Sequence, residues 1–271
     1  MEGKTAKTQI EIIYQDDDII VVNKPSGMSV TKDRSGDAKL GDILGKQFSR
    51  QLHGELRLVH RLDKATSGVM VLAKNIEAQT RFTDYFRNRL VKKTYLTLVI
   101  GKPPGKQGRI EVPLTQRDKK GGLMCIASKK GKESLTHWKL LADFGSVALL
   151  SVSPVTGRTH QIRVHLPYIG LPLAIDPLYG NTRPLYLSDF KTDYRLARDQ
   201  TEKPLIDRLT LHAYQIQFSE PVRNQPDCFI AAIDKKFAAT IKMLTKHNPN
   251  GLNAFDNPDD YHKIITAKRL Y

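Results

Sequence analysis

The chain has 271 residues, with 43 Lys and Arg against 28 Asp and Glu, a formal charge of +15, and 40% hydrophobic residues. That composition is globular rather than disordered, and the length suits one large domain or two small ones. No apolar run is long enough for a membrane span, the N-terminus leads into no signal segment, and two distant cysteines, Cys125 and Cys228, make neither a disulfide framework nor a cysteine zinc site.

In chain order, Ile10, Ile12 and Ile13 precede the acidic turn Asp16-Asp17-Asp18, and Ile19-Ile20-Val21-Val22 follow, so 10–22 reads as strand, turn, strand. Asn23-Lys24-Pro25-Ser26-Gly27 ends the second strand. Leu40, Leu44, Phe48 and Leu52 recur at a spacing of four and predict a helix over 40–52. Residues 68–73 are a short apolar run, expected as a buried strand. Asn75 can cap a helix over 76–90, with Ala78, Phe82, Phe86 and Leu90 on one face. Residues 94–100 return as a strand. Residues 109–153 read as several strands with Gly turns at 121–122 and 145. Thr159 is the expected N-cap of a helix that stops at Pro167 or Gly170. Residues 181–208 are polar and lack a period, and are expected as an insertion. Strands follow at 209–218 and 228–233, then a last helix over 235–247 and a polar stretch over 248–260. The expected organisation is a tail over 1–9, one α+β domain over 10–235 with a mixed, largely antiparallel sheet, and a C-terminal helix and tail over 236–271.

The charge is concentrated. Residues 87–132 hold thirteen basic and two acidic side chains, a net +11. Arg87, Arg89, Lys92, Lys93, Arg117, Lys119, Lys120, Lys129, Lys130 and Lys132 lie among apolar residues such as Tyr95, Leu96 and Val99. A folded basic tract can follow a phosphate backbone; the alternative is a set of solvated loops.

Three tracts can carry chemistry. His60-Arg61-Leu62-Asp63-Lys64-Ala65-Thr66-Ser67-Gly68 places an acid beside bases just before a buried strand. Asp63 is a candidate nucleophile or general base, with a guanidinium to keep it ionised. The alternative is an Asp–Arg pair that ties down a turn. In Thr156-Gly157-Arg158-Thr159-His160-Gln161-Ile162-Arg163-Val164-His165-Leu166, a helix start with Arg158 beside it suits an anion, and Arg163 lies one turn on. His160 and His165 lack the spacing of paired helical metal ligands, so no metal site is expected. In Lys93-Thr94-Tyr95-Leu96, an aromatic among cations can stack on a base; otherwise Tyr95 is core. No Walker pattern, Gly-x-Gly-x-x-Gly or Gly-x-Ser-x-Gly is present, so no cofactor is expected.

Together these tracts resemble the RluA-type family of pseudouridine synthases. His60-Arg61-Leu62-Asp63 with Thr66-Ser67-Gly68 is similar to its H-R-L-D-x-x-T-S-G signature, and Lys24-Pro25-Ser26-Gly27 to its K-P-x-G motif. Lys93-Thr94-Tyr95-Leu96 resembles its tyrosine strand, and Gly157–Leu166 its late arginine motif. Asp176-Pro177-Leu178-Tyr179-Gly180 and Leu211-His212-Ala213 match further landmarks, though Ala174-Ile175 precede Asp176 where the family usually has Gly.

The resemblance implies a sheet split by a catalytic cleft with flanking helices. It implies Asp63 as the catalytic carboxylate, Arg163 as its salt-bridge partner and Tyr95 as the platform for the target uracil. Arg61 would hold the RNA and fill the space left by the flipped nucleotide. With the basic tract and the helix start, the expected RNA contacts are His60, Arg61, Arg89, Lys92, Lys93, Arg158 and Thr159. The expected activity is isomerisation of uridine in ribosomal or transfer RNA, in the cytoplasm and without a cofactor. No S4-type RNA-binding module, membrane partner or obligate protein partner is expected, and the chain is expected to be a monomer. The competing classes are a non-catalytic RNA binder on the same fold and a glycosidase or nucleic-acid glycosylase. The usual glycosidase needs a second placed acid.

Overall fold

A computed structural model describes residues 9–31, 39–48, 55–117, 122–191, 193–196, 200–219 and 226–267. The first hairpin forms where the acidic turn predicted it. Asp16 Oδ1 accepts from the N–H groups of Asp18 (2.8 Å) and Ile19 (2.7 Å), so its side chain closes the turn between β1 (Glu11–Gln15) and β2 (Ile19–Lys24). Helix α1 (Leu40–Gln47) buries Leu40 and Leu44. The rest of the expected helix, beyond Phe48, lies outside the described residues. After a short strand β3 (Arg57–Leu58) comes β4 (Ser67–Ala73), whose seven residues are all buried. Helix α2 (Ile76–Arg87) is capped as expected, with Asn75 Oδ1 accepting from Ala78 N–H at 2.7 Å.

Next come β5 (Val91–Ile100), β6 (Gln107–Glu111), the small hairpin β7 (Leu114–Gln116) and β8 (Met124–Ile126), and then β9 (Leu135–Asp143) and β10 (Val147–Pro154). Lys119, Lys120 and Gly121 lie outside the described residues. Helix α3 (Gln161–Tyr168) precedes the 181–208 excursion. Then come β11 (Leu211–Phe218), β12 (Cys228–Ile230), α4 (Lys235–His247) and α5 (Pro258–Thr266). The order β1-β2-β4-β11-β5-β10-β9-β6 runs through one sheet, with β3 pairing β4 and β12 pairing β11. Every pair is antiparallel except β11 with β4. The α+β class and the largely antiparallel sheet are therefore as expected. These strands form one hydrogen-bonded sheet among the described residues.

Strand alternation sorts the core. Along β5, Leu96 and Leu98 pack with Phe237, Ile241 and Leu244 of α4 and Ile264 of α5. On the other face, Val99 joins Leu150, Val152 and the α3 residues Ile162 and Leu166. A third cluster joins β1, β2 and β4 to α1 and α2. Helix α4, which starts at the expected boundary at 235, packs into the first of these clusters. The polar stretch expected over 248–260 also contains a helix start: Asn257 accepts from Asp259 N–H and Pro258 opens α5. The excursion over 181–208 is also anchored, because Leu185 bridges Ile206 and both are buried.

The one parallel pairing has two contacts, His212 with Ser67 and Ala213 with Gly68. His212 lies wholly inside. Its Nε2 reaches Ala231 O at 3.0 Å, and Ser67 Oγ reaches its Nδ1 at 2.9 Å. Gly68 has φ +118°, and a Cβ there would lie 2.1 Å from Ala213 O. The strands can meet only if residue 68 has no side chain. Gly68→Ala is expected to destabilise the fold by about 3 kcal/mol. An unchanged urea midpoint would mean that the pair shifts freely.

Candidate active site

The segment between β3 and β4 carries Asp63, and a buried cation shapes it. Lys24 is 0% exposed, and its Nζ donates to the carbonyls of Pro25 (3.0 Å), Met28 (2.9 Å) and Lys64 (3.1 Å). Gly27 N–H donates to Lys64 O at 2.9 Å, and Ser26 Oγ to Ala65 O at 2.6 Å. The Lys24–Met28 turn therefore grips the backbone just after Asp63. Burial pushes the Lys24 ammonium down to about 7, against the raising effect of the Asp63 charge.

Asp63 faces α3. Its Oδ2 lies 3.5 Å from Arg163 Nη1 and 3.6 Å from His160 Nε2. Its Oδ1 makes no hydrogen bond among the described residues. Arg163 is the expected partner, but its tighter bonds go elsewhere. Nε donates to Asp176 Oδ2 at 2.8 Å and Nη2 to Asp176 Oδ1 at 2.6 Å. The Arg163 and Asp176 side chains are 3% and 2% exposed, against 20% for Asp63. Burial works against the guanidinium charge, but the bonds and charge of Asp176, with the Asp63 charge, hold its pKa above the usual value. Two carboxylates around one guanidinium leave a net negative charge, and Asp63 is the more open of the two.

Thr159 is not the helix cap. His160 occupies that position with φ 54°, in the left-handed region that His enters more readily than most residues. No side chain caps this helix; Gln161 Oε1 instead accepts Arg158 N–H at 3.0 Å from the segment before it. Thr159 is exposed at the mouth of the cleft. His165 is structural, with Nδ1 2.9 Å from Thr136 Oγ1 and Nε2 3.1 Å from Val112 O. Among the described residues no group of His, Cys, Asp or Glu is placed to hold a metal ion.

The cleft holds about 550 Å³ and is lined by Arg61, Asp63, Arg87, Arg89, Lys93, Tyr95, Arg158, Thr159 and Arg163 among others. Alternation along β5 explains which basic residues reach it. Lys93 and Tyr95 share a face and line the cleft, while Lys92 points the other way, is exposed and is not in the lining. Lys92 thus lies on the opposite face of β5 from Lys93. Burial, then the charge of Arg89, holds the Lys93 ammonium down to about 8. Burial, then the charge of Asp63, raises the Tyr95 pKa, so its phenol stays protonated. Arg89 has φ 61°, and Arg158 Nε donates to Glu133 O at 3.0 Å.

His60 also lines the cleft, but the fold uses its ring. Nε2 accepts Val71 N–H at 3.0 Å, and the ring stacks on Phe86 with centroids 4.2 Å apart. Burial, then the Lys93 charge, pushes its pKa down to about 3, so it is a neutral acceptor. His60 is thus both a structural ring and part of the cleft wall.

Lys24, Asp176, His160 and Tyr179 were not assigned roles from sequence. Asp176 Oδ1 also accepts the N–H groups of Leu178 (2.9 Å) and Tyr179 (3.2 Å), so the turn forms despite the missing Gly before it. The available signal was the ordered Asp176–Gly180 tract; its partner 13 positions earlier in sequence is set by folding alone.

Asp176→Ala is expected to cost about 3–5 kcal/mol in urea denaturation, because it leaves a buried guanidinium unpaired. Asp63→Ala should cost clearly less. Equal losses would show that Arg163 does not depend on Asp176.

A family model described as RNA pseudouridylate synthase matches residues 18–168. The chain is 36% identical over 235 residues to ribosomal large subunit pseudouridine synthase C of Buchnera aphidicola subsp. Baizongia pistaciae, covering 86% of this chain and 70% of the relative. It is 34% identical over 246 residues to the protein of the same name from Vibrio parahaemolyticus, covering 91% and 73%. Among solved structures, human RNA pseudouridylate synthase domain containing 1 is 28% identical with a TM-score of 0.63, covering 86% of each chain. Human domain containing 4 is 25% identical with a TM-score of 0.66, covering 86% of this chain and 92% of that one. With a cleft that brings Asp63, Arg163 and Tyr95 together, the chain belongs to the RluA-type pseudouridine synthases, isomerases that act on RNA.

Proposed function

We propose that this enzyme isomerises uridine in large-subunit ribosomal RNA, in the cytoplasm, and that Asp63 is the catalytic carboxylate. The observation that carries the assignment of Asp63 is its asymmetry. Oδ2 faces two donors, while Oδ1 has no partner among the described residues and the side chain lines a cationic cleft. Ribosomal RNA is the substrate named in the relatives that match most of the chain.

The chemistry follows from the groups present. The N1–C1′ bond of uridine breaks, a C5–C1′ bond forms, N1 gains a proton and C5 loses one. Nothing is oxidised, and no group enters or leaves. Two first steps are open to Oδ1: addition to the anomeric carbon, or removal of the neighbouring ribose proton. Arg163 bonds more tightly to Asp176 than to Asp63, which leaves the Asp63 carboxylate open to react. The target base must leave its stack, which costs on the order of a few kcal/mol. Tyr95 offers a ring for the extruded uracil. Arg61, Arg89, Lys93 and Arg158 hold the phosphates around it, and Arg61, exposed on the cleft wall, fills the vacated space.

The test uses unmodified large-subunit ribosomal RNA and transfer RNA with pseudouridine mapping. Asp63→Asn should lower turnover by at least about a thousand-fold while RNA affinity stays within about three-fold. Full turnover by Asp63→Asn would remove the carboxylate from the mechanism. Product in transfer RNA alone would overturn the substrate, and release of free uracil would indicate a glycosylase.

Lys93 supplies a pH dependence. Its free-state pKa near 8 must rise when a phosphate binds, so binding takes up a proton above that pH. RNA affinity should therefore fall as pH rises through about 8, and Lys93→Met should flatten that limb. An identical pH profile in the variant would place Lys93 outside the RNA contact.

A further inference from the structure

Both donors that face Asp63 Oδ2 are held by one side chain. Tyr179 Oη lies 2.7 Å from His160 Nδ1, and the two rings meet edge-on with centroids 5.4 Å apart. The Arg163 guanidinium carbon sits 5.2 Å from the centroid of the same Tyr179 ring. Tyr179 stands on the turn that Asp176 closes, so the residue that neutralises Arg163 also fixes Tyr179.

A backbone hydrogen bond favours one tautomer of His160. Met124 N–H of β8 donates to Tyr179 Oη at 2.8 Å. With that oxygen already accepting, the phenol O–H donates to His160 Nδ1. A neutral imidazole then carries its proton on Nε2, the atom 3.6 Å from Asp63 Oδ2. The groups that face His160 agree with a neutral ring. Burial lowers its pKa most, Asp63 and Asp176 raise it, and Arg163 and Arg61 lower it. Burial also keeps the Tyr179 phenol protonated.

We propose that Tyr179 is a positioning residue for Asp63. It fixes the His160 tautomer through its hydroxyl and the Arg163 guanidinium through its ring, so both donors engage Oδ2 and Oδ1 is left for the substrate. The link begins at the β8 backbone, so the small β7–β8 hairpin sets a proton at the reacting carboxylate. The inference rests on Asp63 being the catalytic group.

The test compares the wild type, Tyr179→Phe, His160→Asn and the double variant. The first readout is the His160 imidazole nitrogen spectrum of the free enzyme, which needs no RNA. The wild type should show the Nε2–H tautomer, and Tyr179→Phe a mixture. The second is the single-turnover rate on unmodified large-subunit ribosomal RNA. Tyr179→Phe should slow it by about ten-fold, with RNA affinity within about two-fold, since misplacing a reacting group lowers rate rather than binding. The double variant should be no slower than His160→Asn, because once the imidazole is gone the Tyr179 hydroxyl has nothing left to orient. An unchanged tautomer or rate in Tyr179→Phe would overturn the proposal. So would losses that multiply in the double variant, or a rate loss matched by equal loss of affinity. Activity retained by Asp63→Asn would instead sink the catalytic assignment, and the imidazole spectrum would still report on the pair.

Discussion

The site depends on one buried guanidinium. Arg163 lies almost wholly inside the protein between two acids, bound through two nitrogens to Asp176 and more loosely to Asp63. A buried ion pair contributes little net stability against well-packed apolar residues, but losing one partner is costly. Its use here is geometric. Asp176 absorbs the charge and the desolvation cost, so Arg163 is a fixed cation beside Asp63 without fully quenching it. Asp176 also closes the turn that carries Tyr179, so the same acid orders both sides of the site.

The sheet delivers these groups to one place. Lys24 and the Lys24–Met28 turn hold the backbone after Asp63 from one side, and α3 presents Arg163 and His160 from the other. Between them, β5 lends Lys93 and Tyr95 through simple alternation. The close meeting of β4 and β11 at Gly68 sits directly behind this arrangement. A change that separates those strands would shift Asp63 as well as weaken the core.

The basic tract is divided by the same geometry. Arg87, Arg89 and Lys93 reach the cleft. Lys106 pairs with Asp256 and Arg109 with Glu111, both outside the cleft lining. The net charge of +11 over 46 residues is thus spread over several surfaces among the described residues. Charge of one sign attracts a polyanion at long range, whereas contact inside the cleft is open only to the cations that line it.

Local signals in the sequence determined much of the fold. The Asp16 turn, the Asn75 cap, the apolar run of β4 and the four-residue spacing in α2 act within a few residues, and each appears where its side chains dictate. The Asn257-Pro258 start of α5 was equally local but hidden in a polar stretch. The order of the motifs also determined the family and singled out Asp63, Tyr95 and Arg163. The sequence alone could not show that Arg163 is held mainly by Asp176, that His60 is occupied by the fold, or that Lys92 faces away from Lys93's cleft. It also could not show that His160 replaces Thr159 at the helix start, or that Tyr179 joins His160 to Arg163. Those facts depend on which surfaces meet after folding, and on the burial that makes each unpaired polar group expensive. Tertiary structure therefore decided the partners, and with them which oxygen of Asp63 is left open.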